Sequence, residues 1–333
     1  METRLARTIS MQGRVLRELA ATSFDEQAAL LAAARRITLV GTGSSLHAAQ
    51  LGAWLLRRHG LDARALSSLD QARWEPAPRA GDALVVISHT GRTAYTQRVR
   101  ADALACGVPL VSITGSGAGW PEAIVTPVRE QSDTYSASYL ATLGVLSRLA
   151  DGIDRALGTA AGRPGMLALL DAADRVEASV AAPEIDRIAV PDRALVIVGT
   201  GPWAVTAREG ALKVREAARV LAEGYDSELL LHGSAVPLRA GDTVLALQPG
   251  ADPDGLVDSL AAAAHAEGVT VATLEDERAP ADPFYAQFPL TARLQLLAAQ
   301  FATRRGQDPD VAIVGCWSAD SLWRAGSPVV AVH

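Results

Sequence analysis

The segment EGALKVRE, residues 209–216, places three ionisable side chains at helical spacing. Glu209, Lys213 and Glu216 are four and three residues apart, so on an α-helix they share one face. Lys213 is also the only lysine among 31 basic side chains, the others being arginine. A lysine can give up its proton when its surroundings lower its pKa, whereas an arginine cannot. A solvated stripe of ion pairs is the ordinary explanation of this spacing, but the single lysine favours proton-transfer chemistry at this face.

Small hydroxyl side chains follow two apolar runs in the first half of the chain, in the motifs GTGSS and SHTGRT. Each motif is typical of the turn between a strand and a helix, where free N–H groups and the positive end of the helix dipole attract anions. The glycines allow the backbone to approach a ligand closely. We name the combined motifs the phosphate cradle, with ordinary helix capping as the alternative explanation. Its residues are Gly43, Ser44, Ser45, Ser88, His89, Thr90, Gly91 and Thr93.

The elements that would position these residues repeat along the chain. Short β-branched runs alternate with Ala-rich helical segments, which predicts α/β architecture with parallel sheets flanked by helices. A Gly-Thr-Gly turn begins at residue 41 and again at residue 199, and the strands and helices after each follow in the same order. This internal duplication predicts two domains packed face to face, residues 1–160 and 161–333. Long helices are expected at 134–157 and 290–305.

The second copy of the repeat has lost the hydroxyl cluster. Its corresponding turns read GTGPW and QPGADP. One phosphate site is therefore expected in the first domain, with the second domain contributing other groups. GTGSS lacks the third glycine of a dinucleotide fingerprint, and the lysine of a phosphate-binding P-loop is absent too.

Bulk properties exclude several classes of protein. The net charge of −6 argues against a nucleic-acid partner. No run of 18 residues is apolar throughout, so no membrane span is expected. The N-terminus lacks the apolar region of a secretion signal, which predicts a cytoplasmic protein. The two cysteines, Cys106 and Cys316, show no metal-binding or disulfide spacing and are expected to be buried.

Two motifs resemble the tandem SIS (sugar isomerase) domain family, which includes the isomerase half of glucosamine-6-phosphate synthase. SHTGRT is similar to the family's Ser-x-Ser/Thr-Gly-x-Thr loop, and residues 209–233, EGALKVREAARVLAEGYDSELLLHG, are similar to its E-G-A-L-K-x-K-E segment followed by His-Gly. The resemblance implies two flavodoxin-like α/β/α sandwiches. It covers nearly the whole chain. No part of the chain resembles the synthase's glutaminase domain.

The resemblance also implies roles for individual residues. Glu216 takes the place of the carboxylate that moves a proton between C1 and C2, His232 that of the ring-opening histidine, and Lys213 that of a lysine near the reactive end of the sugar. The family's histidine completes the site of a neighbouring subunit, which implies a homodimer. No metal or organic cofactor is required. Phosphate-binding positions fall on Ser45, Ser88, Thr90 and Thr93.

The chain departs from the family pattern at two places. Its C-terminal tail carries no lysine, so a Schiff base formed from the tail is not expected. The loop REQSDTYSASY, residues 129–139, matches the family loosely, and Glu130 and Ser136 in it are candidates for sugar contacts. The resulting expectation is a phosphosugar isomerase. An amino-sugar-phosphate deaminase or deglycase, another enolisation enzyme and a non-catalytic sugar-phosphate regulator remain alternatives.

Overall fold

Two parallel β-sheets organise the chain in a computed structural model. The structure describes residues 2–159, 165–248, 252, 254–276 and 282–327. The strands are β1 Arg36–Gly41, β2 Ala63–Ser67, β3 Asp82–Ser88, β4 Leu110–Thr114, β5 Ala123–Val125, β6 Ala194–Gly199, β7 Leu221–Asp226, β8 Thr243–Gln248 and β9 Thr270–Glu275. The helices are α1 Arg4–Ser10, α2 Gln12–Ala20, α3 Asp25–Ala32, α4 Ser44–Arg58, α5 Ser68–Arg73, α6 Ala94–Cys106, α7 Ala137–Leu157, α8 Gly165–Ala181, α9 Trp203–Ala218, α10 Ser227–Leu229, α11 Leu256–Ala266, α12 Pro283–Arg304 and α13 Asp320–Trp323.

The described residues pack as two units, one around each sheet. Those within Arg14–Glu130, Ala137–Asp171 and Ile313–His333 form what we name the β1–β5 unit. Those within Met1–Gly13, Gln131–Ser136 and Ala172–Ala312 form the β6–β9 unit. The predicted boundary between residues 160 and 161 lies outside the described residues, as does part of the QPGADP turn.

In the β1–β5 unit the strand order is β2-β1-β3-β4-β5, all parallel. Successive side chains of a strand point to opposite faces, and both faces are covered by helices. Leu39 packs at Gly52 of α4, where a Cβ would lie 2.8 Å from a Leu39 methyl carbon. Its neighbour Val40 joins a core cluster with Val99 and Ala103 of α6. Each fully buried aliphatic side chain of this kind contributes about 1.5–3 kcal/mol to folding.

The β6–β9 unit is built in the same way, with strand order β7-β6-β8-β9. Ile197 belongs to the core cluster that contains Val214 of α9. The next residue, Val198, belongs to a second cluster with Leu260 of α11. The two faces of β6 are thus buried against different helices, as the continuous apolar run ALVIVG predicts.

Matching hydrogen bonds and close contacts mark the internal repeat. In one unit the Thr42 and Ser68 hydroxyl oxygens lie 3.2 Å apart, and in the other those of Thr200 and Ser227 lie 2.9 Å apart. Each pair joins the Gly-Thr-Gly turn to the start of the short helix after the second strand. A Cβ on Gly41 or on Gly199 would lie within 2.7 Å of the next helix's backbone. The order of the first four strands in each sheet is also the same.

Three details differ from the sequence-based expectations. The two long helices have shifted starts: α7 begins at Ala137 and α12 begins at Pro283. The prediction that Cys106 and Cys316 are buried is wrong, since both are exposed. Cys106 is the last residue of α6, and Cys316 lies in a 3-10 turn, Gly315–Ser318, with no buried residue.

Among the described residues, no helix is long and apolar enough to cross a membrane.

Candidate active site

The first turn of the phosphate cradle connects β1 to α4. Gly43 adopts a left-handed φ of 58° and immediately precedes the helix, so a side chain there would be strained. Since glycine offers no capping side chain, the first N–H groups of α4 lack a side-chain acceptor from that position. Ser44 and Ser45, the first two helical residues, are half-buried beside these groups. This geometry suits an anion at the helix N-terminus.

The second turn of the cradle, between β3 and α6, is held by its own side chains. The Gly91 N–H donates to the Ser88 hydroxyl at 3.2 Å, and the Arg92 N–H donates to the Thr90 hydroxyl at 3.2 Å. Thr93 caps α6 by position, but its side chain makes no capping hydrogen bond. Its hydroxyl is therefore available to a ligand. Because β1 and β3 are neighbours with Val40 opposite Val86, both turns leave the same edge of the sheet.

His89, between Ser88 and Thr90, is packed rather than exposed in the turn. A Cβ on Gly115 would lie 2.4 Å from its Cε1 atom, so the ring rests on the backbone of that glycine. The Gly115 N–H also donates to the His89 carbonyl at 2.9 Å. Burial lowers the pKa of His89, so the ring is neutral at neutral pH. The residue thus supports the turn without adding a charge.

Trp120 packs against the second turn of the cradle, a contact that the sequence alone did not reveal. A Cβ on Gly91 would lie 3.2 Å from Trp120 Nε1, so the indole borders the turn. The Arg100 guanidinium stacks over this indole at 4.8 Å and is held by Glu122 through two bonds of 2.6 and 2.7 Å. The Ser112 hydroxyl also donates to Glu122 at 2.8 Å. We name Arg100, Trp120 and Glu122 the cradle support.

The candidate catalytic residues lie in the other unit, on α9. Lys213 is 1% exposed, and its Nζ lies 2.5 Å from Glu216 Oε2 and 3.7 Å from Glu209 Oε1. Glu209 is fully buried, whereas the Glu216 side chain is 25% exposed. The prediction that the three side chains share one helix face is confirmed. One face therefore carries a buried ammonium between two carboxylates, with Glu216 the one open to a ligand.

Burial also tunes the acid–base properties of this face. Burial raises the pKa of the Glu216 carboxyl, and the ammonium of Lys213 opposes this shift by its charge and its hydrogen bond. A carboxyl with a raised pKa is better matched to proton transfer near neutral pH than an ordinary glutamate. Perturbed groups of this kind are enriched at functional sites.

Two glycines hold α9 close to its neighbours. A Cβ on Gly210 would lie 2.7 Å from Leu294 Cδ1 of α12, and a Cβ on Gly224 of β7 would lie 2.3 Å from the Arg208 backbone nitrogen. Only glycine permits these approaches. The Thr206 hydroxyl also donates to the buried Gln287 amide oxygen across α9 and α12. The face that carries Glu209, Lys213 and Glu216 is thus fixed on a tightly packed helix.

His232 lies in a kinked segment, Leu230–Ser234, and is exposed. Its φ and ψ of −82° and 52° leave the helical region, and Gly233 follows with a φ of 99°. The imidazole makes no hydrogen bond or ion pair with other described residues. Leu231 and Val236 beside it are also exposed, at 53% and 84%.

The remaining candidates, Ser136 and Glu130, each form a hydrogen bond within the protein. Ser136 is fully buried in the β6–β9 unit, where its carbonyl accepts from Gln295 Nε2 at 3.2 Å. Glu130 accepts the Ser138 N–H at 2.7 Å, at the start of α7.

The C-terminal tail belongs to the same unit as the cradle, and a Cβ on Gly326 would lie 2.3 Å from Tyr95 in the first turn of α6. The described residues hold no cluster of three or more metal-ligating side chains.

Comparisons with known proteins agree with the motifs. Residues 30–120 match the SIS domain family. The chain is 28% identical over 303 residues to the isomerizing glutamine–fructose-6-phosphate aminotransferase of Pyrococcus horikoshii, and 26% identical over 319 residues to that of Aeropyrum pernix. These matches cover 83% and 85% of the chain, which spans about half the length of each relative.

Solved structures show the same fold. The C-terminal domain of glucosamine-fructose-6-phosphate aminotransferase from Francisella tularensis superposes with a TM-score of 0.79 at 19% identity, over 93% of this chain and 98% of that one. Glucosamine-6-phosphate deaminase from Thermotoga maritima gives 0.75 at 20% identity, over 92% and 97%. At these identities the likeness concerns the fold alone. Residues 30–120 thus match the SIS domain family, and most of the chain is similar to about half the length of glutamine–fructose-6-phosphate aminotransferase.

Proposed function

We propose that this chain is a sugar-phosphate isomerase of the aldose–ketose type. The observation that carries the proposal is the buried Lys213 ammonium held against Glu216, whose carboxyl has a raised pKa and is partly open to a ligand. A buried ion pair is costly to maintain and is weak evidence of stabilisation. A reaction that uses this ammonium beside the Glu216 carboxylate explains why the chain keeps its single lysine there.

The phosphate cradle would anchor the substrate. Two helix N-termini meet at one edge of the sheet. Five hydroxyl side chains lie at the same edge, those of Ser44, Ser45, Ser88, Thr90 and Thr93. Their contacts with the phosphate remain the same throughout the reaction, so their binding energy is available to orient the reacting carbons.

The reaction itself would use three groups. His232, which has no intramolecular partner among the described residues, assists ring opening as a general acid and base. The Glu216 carboxylate removes the proton from one of C1 and C2 and returns it to the other. Lys213 stabilises the negative charge that develops on the oxygens of the enediol. No step requires a metal or an organic cofactor.

We further propose that the chain works as a homodimer in which His232 serves the site of the second copy. The support is the exposure of this histidine together with Leu229, Leu231 and Val236, which are 53–84% exposed. An apolar patch of this kind on a surface segment is typical of an interface.

A deaminase or deglycase acting on an amino-sugar phosphate is the second candidate. The likeness to a glucosamine-6-phosphate deaminase concerns the fold, and the names of the curated relatives include amino transfer. The same enediol chemistry serves both reactions. The choice of sugar separates them, because only an amino-sugar phosphate releases ammonia.

A ligand panel tests the proposal. Thermal unfolding would be measured with hexose, pentose and amino-sugar phosphates, for the wild type and for Thr93→Val, which keeps the size of the side chain and removes the hydroxyl. We expect at least one sugar phosphate to raise the unfolding temperature of the wild type, and to raise that of the variant less. Stabilisation by no sugar phosphate would refute the proposal, and binding without turnover would point to a regulator.

A further inference from the structure

A cavity of about 770 Å³ lies within the β6–β9 unit. It is bordered by α8, the segment after it, β9 and α12. In the described part of the chain, strand β9 pairs with β8 alone, whereas the corresponding strand of the other sheet, β4, also pairs with β5. None of Glu209, Lys213, Glu216 and His232 lines this cavity.

Arg293 of α12 forms a buried cationic wall of the cavity. It is 7% exposed, and its Nε donates to the Pro183 carbonyl at 2.8 Å. It also donates to the Glu275 carbonyl, and its Nη2 lies 3.8 Å from a carboxylate oxygen of Glu184. Glu184 adopts a left-handed φ of 54°, a conformation that costs energy for a residue other than glycine. The wall is therefore built by several groups that fix one another.

Two further arginines line the cavity, Arg175 half-buried and Arg187 exposed. Arg175 and Arg187 form no ion pair or side-chain hydrogen bond with any described residue. The Nε of Arg175 is moreover buried and donates to no acceptor in the described part of the chain. A buried guanidinium N–H without an acceptor is unfavourable, and a ligand oxygen would satisfy it.

The acidic residues of the cavity restrict what it can accept. Glu184 is engaged by Arg293, but Glu275 and Asp276 also border the space. A bare polyanion would meet these carboxylates, whereas a molecule with both an acid group and hydroxyl groups would pair with the arginines and donate to the carboxylates. The volume is within the range of metabolite-sized sites.

We propose that this cavity binds a small hydroxylated organic anion, held through its carboxylate or phosphate group by Arg175 and Arg187. Guanidinium groups bind both oxyanions in a bidentate manner, so the two share one chemistry. The site is separate from the phosphate cradle, which lies in the other unit. It adjoins the catalytic helix through α12, because Leu294, the residue after Arg293, packs against Gly210 of α9.

Calorimetric titration of the full chain tests the proposal, with citrate and glucose 6-phosphate as the probes. The test variant is Arg175→Gln/Arg187→Gln, and the control is Arg305→Gln, an exposed arginine of the same unit outside the cavity. We expect at least one probe to bind the wild type and the control equally, and to bind the double variant about tenfold more weakly. Citrate alone would indicate a carboxylate site, and glucose 6-phosphate alone a phosphate-ester site.

Binding at the cradle is separated by a further variant. Ser88→Ala/Thr93→Val removes two cradle hydroxyls and is expected to leave the cavity's binding unchanged. Equal affinity of the wild type and the arginine double variant for every probe would overturn the proposal, as would a loss confined to the cradle variant or binding of neither probe. Circular dichroism of the double variant checks that it folds. These outcomes do not depend on isomerase turnover, so the proposed function is tested separately.

Discussion

The Nζ atom of Lys213 lies 2.5 Å from Oε2 of Glu216 and 3.7 Å from Oε1 of Glu209. One ammonium is thus shared by a fully buried carboxylate and a partly exposed one on the same helix face. Glu209 and Lys213 have no access to water, so each depends on protein partners for its charge. The face that carries Glu209, Lys213 and Glu216 is therefore a structural element of the β6–β9 unit as well as the candidate catalytic face.

Removal of the Lys213 charge is expected to destabilise the protein. Lys213→Met leaves the buried Glu209 carboxylate without its ammonium, which costs about 3–5 kcal/mol of the free energy of unfolding. Denaturant unfolding measures this loss. Arg215→Gln on the same helix removes the exposed pair with Glu223 and a hydrogen bond to the Ala222 carbonyl, and is expected to cost only about 1 kcal/mol. A double variant, Glu209→Gln/Lys213→Met, should recover part of the stability, and no recovery would contradict the explanation.

The cradle support should control phosphate affinity through the Gly91 turn. Trp120→Leu removes the indole that borders Gly91 and stacks on Arg100, so the turn loses its fixed position. We expect KM for the sugar phosphate to rise about tenfold while kcat changes little, because binding and not chemistry is affected. Trp74→Leu is the control, since that side chain is 80% exposed in the same unit. Equal KM values for the two variants would remove Trp120 from this role.

The same support should make stability depend on pH in the acid range. The hydrogen bonds from Arg100 lower the pKa of Glu122 from its ordinary 4.5 to about 2. A lowered carboxyl pKa stabilises the fold above the ordinary value, and this contribution is lost as the pH falls toward about 2. Glu122→Gln should therefore cost about 1.5–3 kcal/mol at neutral pH, with the difference from wild type shrinking between pH 4.5 and 2.

Urea unfolding at several pH values measures that difference. Asp62→Asn, which breaks the more exposed pair with Arg36, serves as the control and should show a smaller effect. A difference between wild type and Glu122→Gln that stays constant down to pH 2 would contradict the assignment.

A shared site in a homodimer predicts complementation between inactive variants. Glu216→Gln and His232→Ala should each be inactive alone, because each removes one of the groups that move protons. If the histidine acts in the site of the second copy, a mixed dimer contains one intact site, and random mixing restores about a quarter of wild-type activity. Turnover after co-refolding of the two variants measures this, with light scattering to establish the dimer. No recovery from a verified mixed dimer would place both groups in one chain's site.

The sequence predicted the parallel sheets, the internal repeat and the shared helix face, because each depends on local periodicity or spacing. It could not predict the cradle support: Trp120 and Glu122 reach Gly91 and Arg100 only through tertiary packing. For the two cysteines, the prediction from the sequence was wrong. Apolar neighbours predicted burial, but Cys106 ends a helix on its exposed side, and the segment around Cys316 contributes no buried residue. The cavity beside β9 was not predicted either, because the sequence does not show which strand lies at the edge of the sheet.

Proton exchange into the sugar tests the central claim most directly. The sugar phosphate that stabilises the protein would be incubated in D2O with the wild type and with Glu216→Gln, and proton NMR would follow the C1 and C2 positions. We predict that deuterium enters one of these positions with the wild type, and at least about a hundredfold more slowly with Glu216→Gln, because the neutral amide cannot accept the proton. Equal exchange by both proteins, or none by a wild type that binds the sugar, would contradict the account of Glu216 as the proton-transferring group.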